Sequence, residues 1–318
     1  MANPKAAFYW ASSCGGCEIA VLELGTNLLD ISKKVDIVFW PVALDFKYSD
    51  VESMPEKSID VCFFNGAIQT SENEHMAKLL REKSKILVAF GACAYGGGIP
   101  ALANTTSREQ ILMRVYKETP TTDNPNGILP QTKVEVAEGV LTIPEFYNTV
   151  RTLGQTVDVD YYVPGCPPVA EQVWSVMKDI VGGNLPPKGS VIGASEKSLC
   201  DECKRIKGDR KIKKIVRTHQ VIPDTENCLL DQGIICMGPA TRGGCGAECL
   251  KSNMPCRGCY GPVPGVLDQG AKMLSALSSN FDADNEEDAR RIADGVVDPI
   301  GTFYRYSLAR SLLRRAKA

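Results

Sequence analysis

Short apolar runs alternate with amphipathic stretches over roughly the first 180 residues. The runs Ala6–Ala11, Val35–Trp40, Ile59–Phe64, Lys85–Phe90 and Asp160–Val163 are β-branched or aromatic and bounded by turn residues, as buried strands are. Between them the apolar positions recur with helical spacing over Cys17–Leu29, Glu72–Lys83, Arg108–Lys117 and Val169–Val181. Short strands separated by helices predict an α/β fold with a doubly wound parallel sheet. Thr119–Pro130, which holds Pro120, Pro125, Gly127 and Pro130, predicts a long loop. Gly182-Gly183-Asn184-Leu185-Pro186-Pro187 predicts a domain boundary.

Beyond that break the pattern changes. Residues 198–260 hold eight of the thirteen cysteines, many glycines and prolines, and few periodic apolar runs. Such a segment is expected to lack a hydrophobic core of its own and to be organised by metal. From about Glu286 the helical pattern returns, and Arg310, Arg314, Arg315 and Lys317 read as a solvated helix end. The chain therefore divides into 1–183, a loop-rich 184–280 and a helical tail 281–318. No repeat is present beyond the recurring cysteine pairs.

Charge and composition narrow the chemistry. Thirty-six basic against 38 acidic residues leave a formal charge of −2, which argues against a nucleic-acid partner. No apolar run is long enough to span a bilayer, and the first residues lack a basic stretch leading into an apolar one. A cytoplasmic location is the expectation. Thirteen cysteines with only two histidines, His75 and His219, point to thiolate-bound zinc or iron–sulfur in a reducing compartment.

Four cysteines follow predicted strands. Cys14 and Cys17 lie in Cys14-Gly15-Gly16-Cys17 after the first strand and at the start of the first helix. Cys93 lies in Gly91-Ala92-Cys93-Ala94-Tyr95-Gly96-Gly97-Gly98, and Cys166 in Pro164-Gly165-Cys166-Pro167-Pro168. In an open parallel sheet the carboxyl ends of the strands share one edge, where ligands bind, so these thiolates converge. Gly15, Gly16, Gly91 and Gly165 permit close backbone approach, and the helix start offers N–H groups to an anionic cluster. Taken alone, Cys14 and Cys17 also suit a thioredoxin-like dithiol. In the second segment the spacing partitions Cys200, Cys203, Cys228 and Cys236 from Cys245, Cys249, Cys256 and Cys259. Two structural zinc ribbons use similar spacing. Cys62, inside a strand, reads as a small buried apolar residue. His219 is surplus as a ligand, and Glu18 reads first as an acid favouring the helix dipole, second as a proton carrier. Gly96-Gly97-Gly98 is no nucleotide loop, since no Gly-Lys-Ser/Thr follows.

Cys14-Gly-Gly-Cys17-Glu18, Gly91-Ala-Cys93-Ala-Tyr-Gly-Gly97 and Val163-Pro-Gly-Cys166-Pro-Pro168, with the eight ordered cysteines of 200–259, resemble the small electron-transfer subunit of nickel–iron hydrogenases. The resemblance spans nearly the whole chain. It implies a flavodoxin-like first domain holding a proximal 4Fe–4S cluster through Cys14, Cys17, Cys93 and Cys166. It also implies a medial cluster on Cys245, Cys249, Cys256 and Cys259, and a distal one on Cys200, Cys203, Cys228 and Cys236. The better-known periplasmic members carry a His at the first distal position and a Pro at the fourth medial one. Here Cys200 and Cys249 stand at those places, which resembles the cytoplasmic, F420-non-reducing (methyl-viologen-reducing) type of methanogenic archaea, with the F420-reducing type as the alternative.

That likeness implies electron conduction rather than catalysis. By that resemblance, hydrogen would be split at a nickel–iron centre on a separate large subunit, and electrons would pass through three 4Fe–4S clusters to an iron–sulfur adaptor and a heterodisulfide reductase. No catalytic residue is assigned to this chain. Two other readings stand beside it: a cluster-bearing subunit of a respiratory complex, which lacks the eight-cysteine segment, and a zinc-stabilised, non-redox binding module.

Overall fold

The computed structural model describes residues 3–209 and 211–313. Within them the strands are β1 (Lys5–Trp10), β2 (Asp36–Phe39), β3 (Ile59–Asn65), β4 (Ile68–Thr70), β5 (Ser84–Phe90), β6 (Lys133–Val136), β7 (Gly139–Thr142), β8 (Phe146–Arg151) and β9 (Tyr161–Val163). Five form a parallel sheet in the order β2-β1-β3-β5-β9. Counted among themselves they run 2-1-3-4-5, the flavodoxin order, with the switch of winding direction between β1 and β3. The expected strands are present with ends shifted by a residue or so.

Burial explains the pattern. β3 is buried at six of its seven positions, as a strand covered on both faces requires. Successive side chains point to opposite faces. Phe8, Val61, Phe63 and Val88 pack on one side with Val173, Val176 and Met177 of the helix Ala170–Gly182. Cys62, Phe64, Leu87 and Ala89 pack on the other with Met76, Ala77 and Leu80 of the helix Ser71–Lys83. Phe8 stacks on Phe63 at 5.1 Å between ring centroids and meets Trp40 at 4.6 Å. Each such ring contributes about 2 kcal/mol by burial.

Several elements differ from the pattern-based expectation. The helix expected over Cys17–Leu29 is two, Gly16–Leu22 and Thr26–Ser32, because Gly25 turns the chain at φ 57°. The helix expected over Arg108–Lys117 is α-helical only to Met113 and continues as a wider π turn, Arg114–Glu118. After the predicted loop, β6 and β7 form a hairpin exposed at every position, so no buried face marks it in sequence. β4 and β8 pair antiparallel beside the main sheet.

The cysteine-rich segment has a core after all. Leu199, Ile212, Leu229, Ile234, Met237 and Leu250 pack with Met273 and Leu277 of the helix Gln269–Ser278, and with Phe303, Tyr304 and Leu308. The last described residues then run back against the sheet domain. The Gln155 amide donates to the Ala309 carbonyl at 2.7 Å. A Cβ on Gly96 would lie 2.2 Å from the Tyr306 carbonyl oxygen, so only glycine lets the tail approach. Arg310 is not simply a solvated helix end: its guanidinium lies 4.5 Å from the centroid of the Tyr95 ring. Arg314, Arg315 and Lys317 fall outside the described residues. No helix among the described residues is long and apolar enough to cross a membrane.

Candidate metal centres

Local backbone geometry brings the first four thiols together. Gly15 adopts the left-handed conformation (φ 79°) and caps the helix Gly16–Leu22, so the chain turns sharply between Cys14 and Cys17. Cys93 rides on the short helix Gly91–Gly96 directly after β5, and Cys166 follows β9. The Ala92 N–H donates to the Gly165 carbonyl at 2.7 Å and ties those two loops together. Burial, and then the nearby Cys93, Cys166 and Cys14, push the Cys17 thiol up. Burial, with Cys166 and Cys14, pushes Cys93 up to about 12. The Cys166 thiol is likewise raised by burial, against a hydrogen bond from the Tyr306 hydroxyl. Four neighbouring thiolates repel, and a cationic metal core is what offsets that repulsion.

Space beside the sulfurs is kept open by glycine. A Cβ on Gly91 (φ 86°) would lie 2.3 Å from Cys17 Sγ, and one on Gly98 (φ 57°) 2.4 Å from Cys93 Sγ. The Gly16 N–H donates to Cys14 Sγ at 3.4 Å. Glu18 is a buried clamp rather than a solvated helix acid. Its carboxylate accepts from Trp40 Nε1 and from Asn65 Nδ2 at the end of β3, closing the switch point. Burial raises its carboxyl, and those two bonds oppose the rise.

In the second half the thiols are placed by turns and short helices. Cys200, Cys203, Cys228 and Cys236 line one small hollow of about 20 Å³ together with Arg205, Lys207 and Leu229. Cys236 Sγ accepts the Cys256 N–H at 3.4 Å, and burial pushes its thiol up to about 12. Gly238 leaves room here too, since its Cβ would lie 3.2 Å from Cys200 Sγ. Arg205, which no sequence motif singles out, is buried and donates to the carbonyls of Asp224, Asn227 and Leu250 and to Asn253 Oδ1, bracing the hollow.

The remaining four thiols form a set between the other two. Cys245 accepts the Ala247 and Glu248 N–H groups and neighbours Cys249. Cys259 is pushed up to about 12 by burial and by Cys166, Cys245 and Cys249, and accepts the Cys166 backbone N–H. Cys256 adjoins both Cys236 and Cys259. Cys249 is exposed. Neighbouring sets are thus joined by a hydrogen bond at each junction, Cys166 to Cys259 and Cys256 to Cys236.

All thirteen cysteines are free thiols. Among the described residues no three His, Cys, Asp or Glu side chains close on the position of a single ion. The donors suit a larger group: all-thiolate sets, N–H groups aimed at sulfur, and glycine-kept space beside it. Cys62 is fully buried in β3, and His219 is exposed in a turn outside the hollow.

The family profile described as NADH ubiquinone oxidoreductase, 20 Kd subunit, matches residues 14–180. That match stops before the cysteine-rich segment. The F420-non-reducing hydrogenase iron-sulfur subunit of Archaeoglobus profundus is 43% identical, over 98% of this chain and 98% of its own length. Its counterpart in the F420-non-reducing hydrogenase of Methanothermobacter marburgensis is 37% identical, over 97% of this chain and 96% of its own. The chain belongs to this family of F420-non-reducing hydrogenase subunits. As a hydrogenase subunit it is part of an oxidoreductase, and the likeness runs through both halves rather than the first alone. The recombinant [NiFeSe] hydrogenase from Desulfovibrio vulgaris Hildenborough shares the fold, with TM-score 0.52 and 15% identity over 83% of this chain and 95% of that one.

Proposed function

We propose that this hydrogenase subunit conducts electrons from hydrogen oxidation at a nickel–iron centre, carried by a partner large subunit, to a downstream acceptor. Cys14, Cys17, Cys93 and Cys166 would hold a proximal 4Fe–4S cluster, Cys245, Cys249, Cys256 and Cys259 a medial one, and Cys200, Cys203, Cys228 and Cys236 a distal one. Thiolate-ligated clusters exchange single electrons across a broad range of potential, including the low values hydrogen demands. The chain itself supplies spacing, a low-dielectric surround and N–H groups that stabilise charge on sulfur. It contributes no catalytic acid, base or nucleophile in this reading.

The observation that carries it is continuity. The N–H of Cys166 reaches Cys259 Sγ, and the N–H of Cys256 reaches Cys236 Sγ, so no set stands apart from the next. At the entry end Cys14 is exposed, and the same sheet edge exposes Trp10 (41%), Ile19 (53%) and Leu22 (45%), an apolar face suited to the large subunit. The acceptor proposed from the family likeness is an iron–sulfur adaptor with a heterodisulfide reductase. Thirteen unpaired thiols suit the cytoplasm.

Iron and acid-labile sulfide, measured on the anaerobically purified complex with EPR of both redox states, test the proposal. About twelve of each per chain, after subtracting the partners, is expected. About four or fewer would refute conduction through all three sets, and zinc without sulfide would favour the zinc-stabilised module.

A further inference from the structure

A cleft of about 1640 Å³ is lined by none of the thiols. Three parts of the chain meet in it: the sheet domain at Tyr95 and Tyr162, the second half at Arg242 and 262–267, and the tail at Arg310. Close contacts bring the key side chains together. The Arg242 N–H donates to the Gly261 carbonyl at 3.0 Å, and a Cβ on Gly261 (φ 74°) would lie 2.4 Å from the Tyr95 ring. That ring carries the Arg310 guanidinium at 4.5 Å and meets the Tyr162 ring at 5.3 Å between centroids.

The charges of this cleft do not balance within the chain. Glu74 is the sole carboxylate among the described residues that line it, and Lys78 and Arg151 already engage it at 2.7 and 2.5 Å. Arg242 and Arg310 make no ion pair among the described residues. Arg242 reaches the Ser195 carbonyl at 3.3 Å, while its Nε is buried without a partner. The Tyr95 and Tyr162 hydroxyls have no hydrogen-bond partner among the described residues either. A buried donor left unpaired in a folded chain points to a missing acceptor. Two guanidinium forks beside two phenols offer more donors than one carboxylate takes up, and suit the three oxygens and double charge of a phosphate. The stretch Pro262, Val263, Pro264, Val266 and Leu267 gives the same cleft an apolar wall, with Leu267 85% exposed. An added strand is poorly served, because the Asn104 side chain donates to the Val150 carbonyl at 2.9 Å and accepts its N–H at 2.7 Å.

We propose that this cleft binds a nucleotide-sized phosphate ester, its phosphate met by Arg242 and Arg310 and its organic body lying on 262–267. The site shares no residue with the thiol sets, so it stands whether or not they conduct electrons. Small-molecule pockets commonly measure about 300–1,000 Å³, and a free phosphate would leave most of this cleft unfilled. Because the two arginines belong to the tail and to the second half, and the tyrosines to the sheet domain, a bound ligand ties all three together. Binding to that folded arrangement alone stabilises it.

The test is calorimetric titration of the intact, anaerobically purified complex with AMP, ATP, inorganic phosphate and citrate, paired with hydrogen exchange read by mass spectrometry. AMP or ATP should bind saturably below about 1 mM and protect residues 262–267 and 306–312 from exchange. Inorganic phosphate should bind at least about tenfold more weakly, for want of the apolar wall. Arg310 is exposed and touches the Tyr95 ring, so Arg310→Gln is the mildest variant; it should weaken nucleotide binding about tenfold with iron content and dye reduction unchanged. Arg310→Lys, which keeps the charge without the fork, should recover part of that loss. Absence of saturable binding, or native affinity in Arg310→Gln, would overturn the site. Phosphate binding as tightly as AMP would overturn the organic body, and citrate doing so would overturn the preference for phosphate. If Arg310→Gln loses iron, exchange in the native complex decides, and nucleotide protection that spares 262–267 and 306–312 overturns the proposal.

Discussion

The two halves of the molecule place thiols by different means. In the sheet domain, Cys14, Cys17, Cys93 and Cys166 stand at strand ends, and the packing of Phe8, Phe63 and Val88 fixes those ends without help from the thiols. In the second half, Cys200, Cys228, Cys236 and Cys245 hang on turns, four-residue helices and single hydrogen bonds. A core does lie beneath them, yet its members Leu229, Ile234 and Met237 sit among the thiols Cys228, Cys236 and Cys245 in the chain and share the same few turns. One half is a scaffold that presents a site; the other is a site that serves as much of its own scaffold. The first should therefore outlast loss of metal, and the second should not.

Removing one ligand from each half puts that contrast to its hardest test. Cys93→Ala should delete about four irons, reduce hydrogen-driven dye reduction to the control level, and leave exchange protection of β1, β3 and β5 unchanged. Cys236→Ala should delete a similar amount of iron and also strip protection from residues 199–262, as hydrogen exchange followed by mass spectrometry would show. Equal protection in both variants would erase the distinction.

Glycines separate the halves as well. Gly91→Ala places a Cβ 2.3 Å from Cys17 Sγ at φ 86°, on a backbone held by β5. The left-handed conformation alone costs about 1–2 kcal/mol, and the sulfur must also move, so the proximal EPR signal should be lost. Gly238→Ala, at the start of the short 3-10 helix Gly238–Ala240, brings a Cβ only to 3.2 Å of Cys200 Sγ without a left-handed backbone and should retain the distal signal.

A smaller effect is expected at Glu74, which anchors β8 to the sheet domain. Lys78, and then Arg151, hold its carboxyl down at about 2, against a partial rise from burial. A depressed acid adds stability above its unfolded pKa, and that stability is lost as pH falls through the folded value. Glu74→Gln should cost about 1 kcal/mol at neutral pH, with solvent screening limiting the loss. The difference from the native chain should vanish between about pH 4.5 and 2, as thermal unfolding would measure.

The smallest change should come from Tyr306→Phe. This hydroxyl hydrogen-bonds Cys166, and Cys259 lies near enough to raise the tyrosine's own pKa. Its loss should shift the proximal potential to a more negative value in an EPR redox titration, while Tyr304→Phe, beside Asp268 on the same tail, should leave that potential in place.

Legibility in the sequence follows the same division. Strand runs such as Ile59–Phe64 announce themselves because both faces of a central parallel strand are buried, and the thiols after them inherit that clarity. Spacing alone partitions the last eight cysteines, and the hollow gathers Cys200, Cys203, Cys228 and Cys236 as one group. Arg205, Glu18 and Tyr306 are not legible in these roles, because their partners stand far off in the chain: Asn253, Asn65 and Cys166. The β6–β7 hairpin escapes the pattern for another reason, since a ribbon exposed on both faces leaves no alternation to read.

The passage of the tail beside Gly96 bears on how the subunit is made. Residue 166 leaves the ribosome 140 residues ahead of Tyr306, a delay of roughly 10–30 s at ordinary synthesis rates. Throughout that interval the sheet can fold, but the cleft of the first four thiols lacks the tail segment that brings Tyr306 beside Cys166 and Gly96. If the first thiol set holds a cluster as proposed, its cleft would be completed only on arrival of nearly the last segment translated, and a chain cut short before Tyr306 would leave that cleft open.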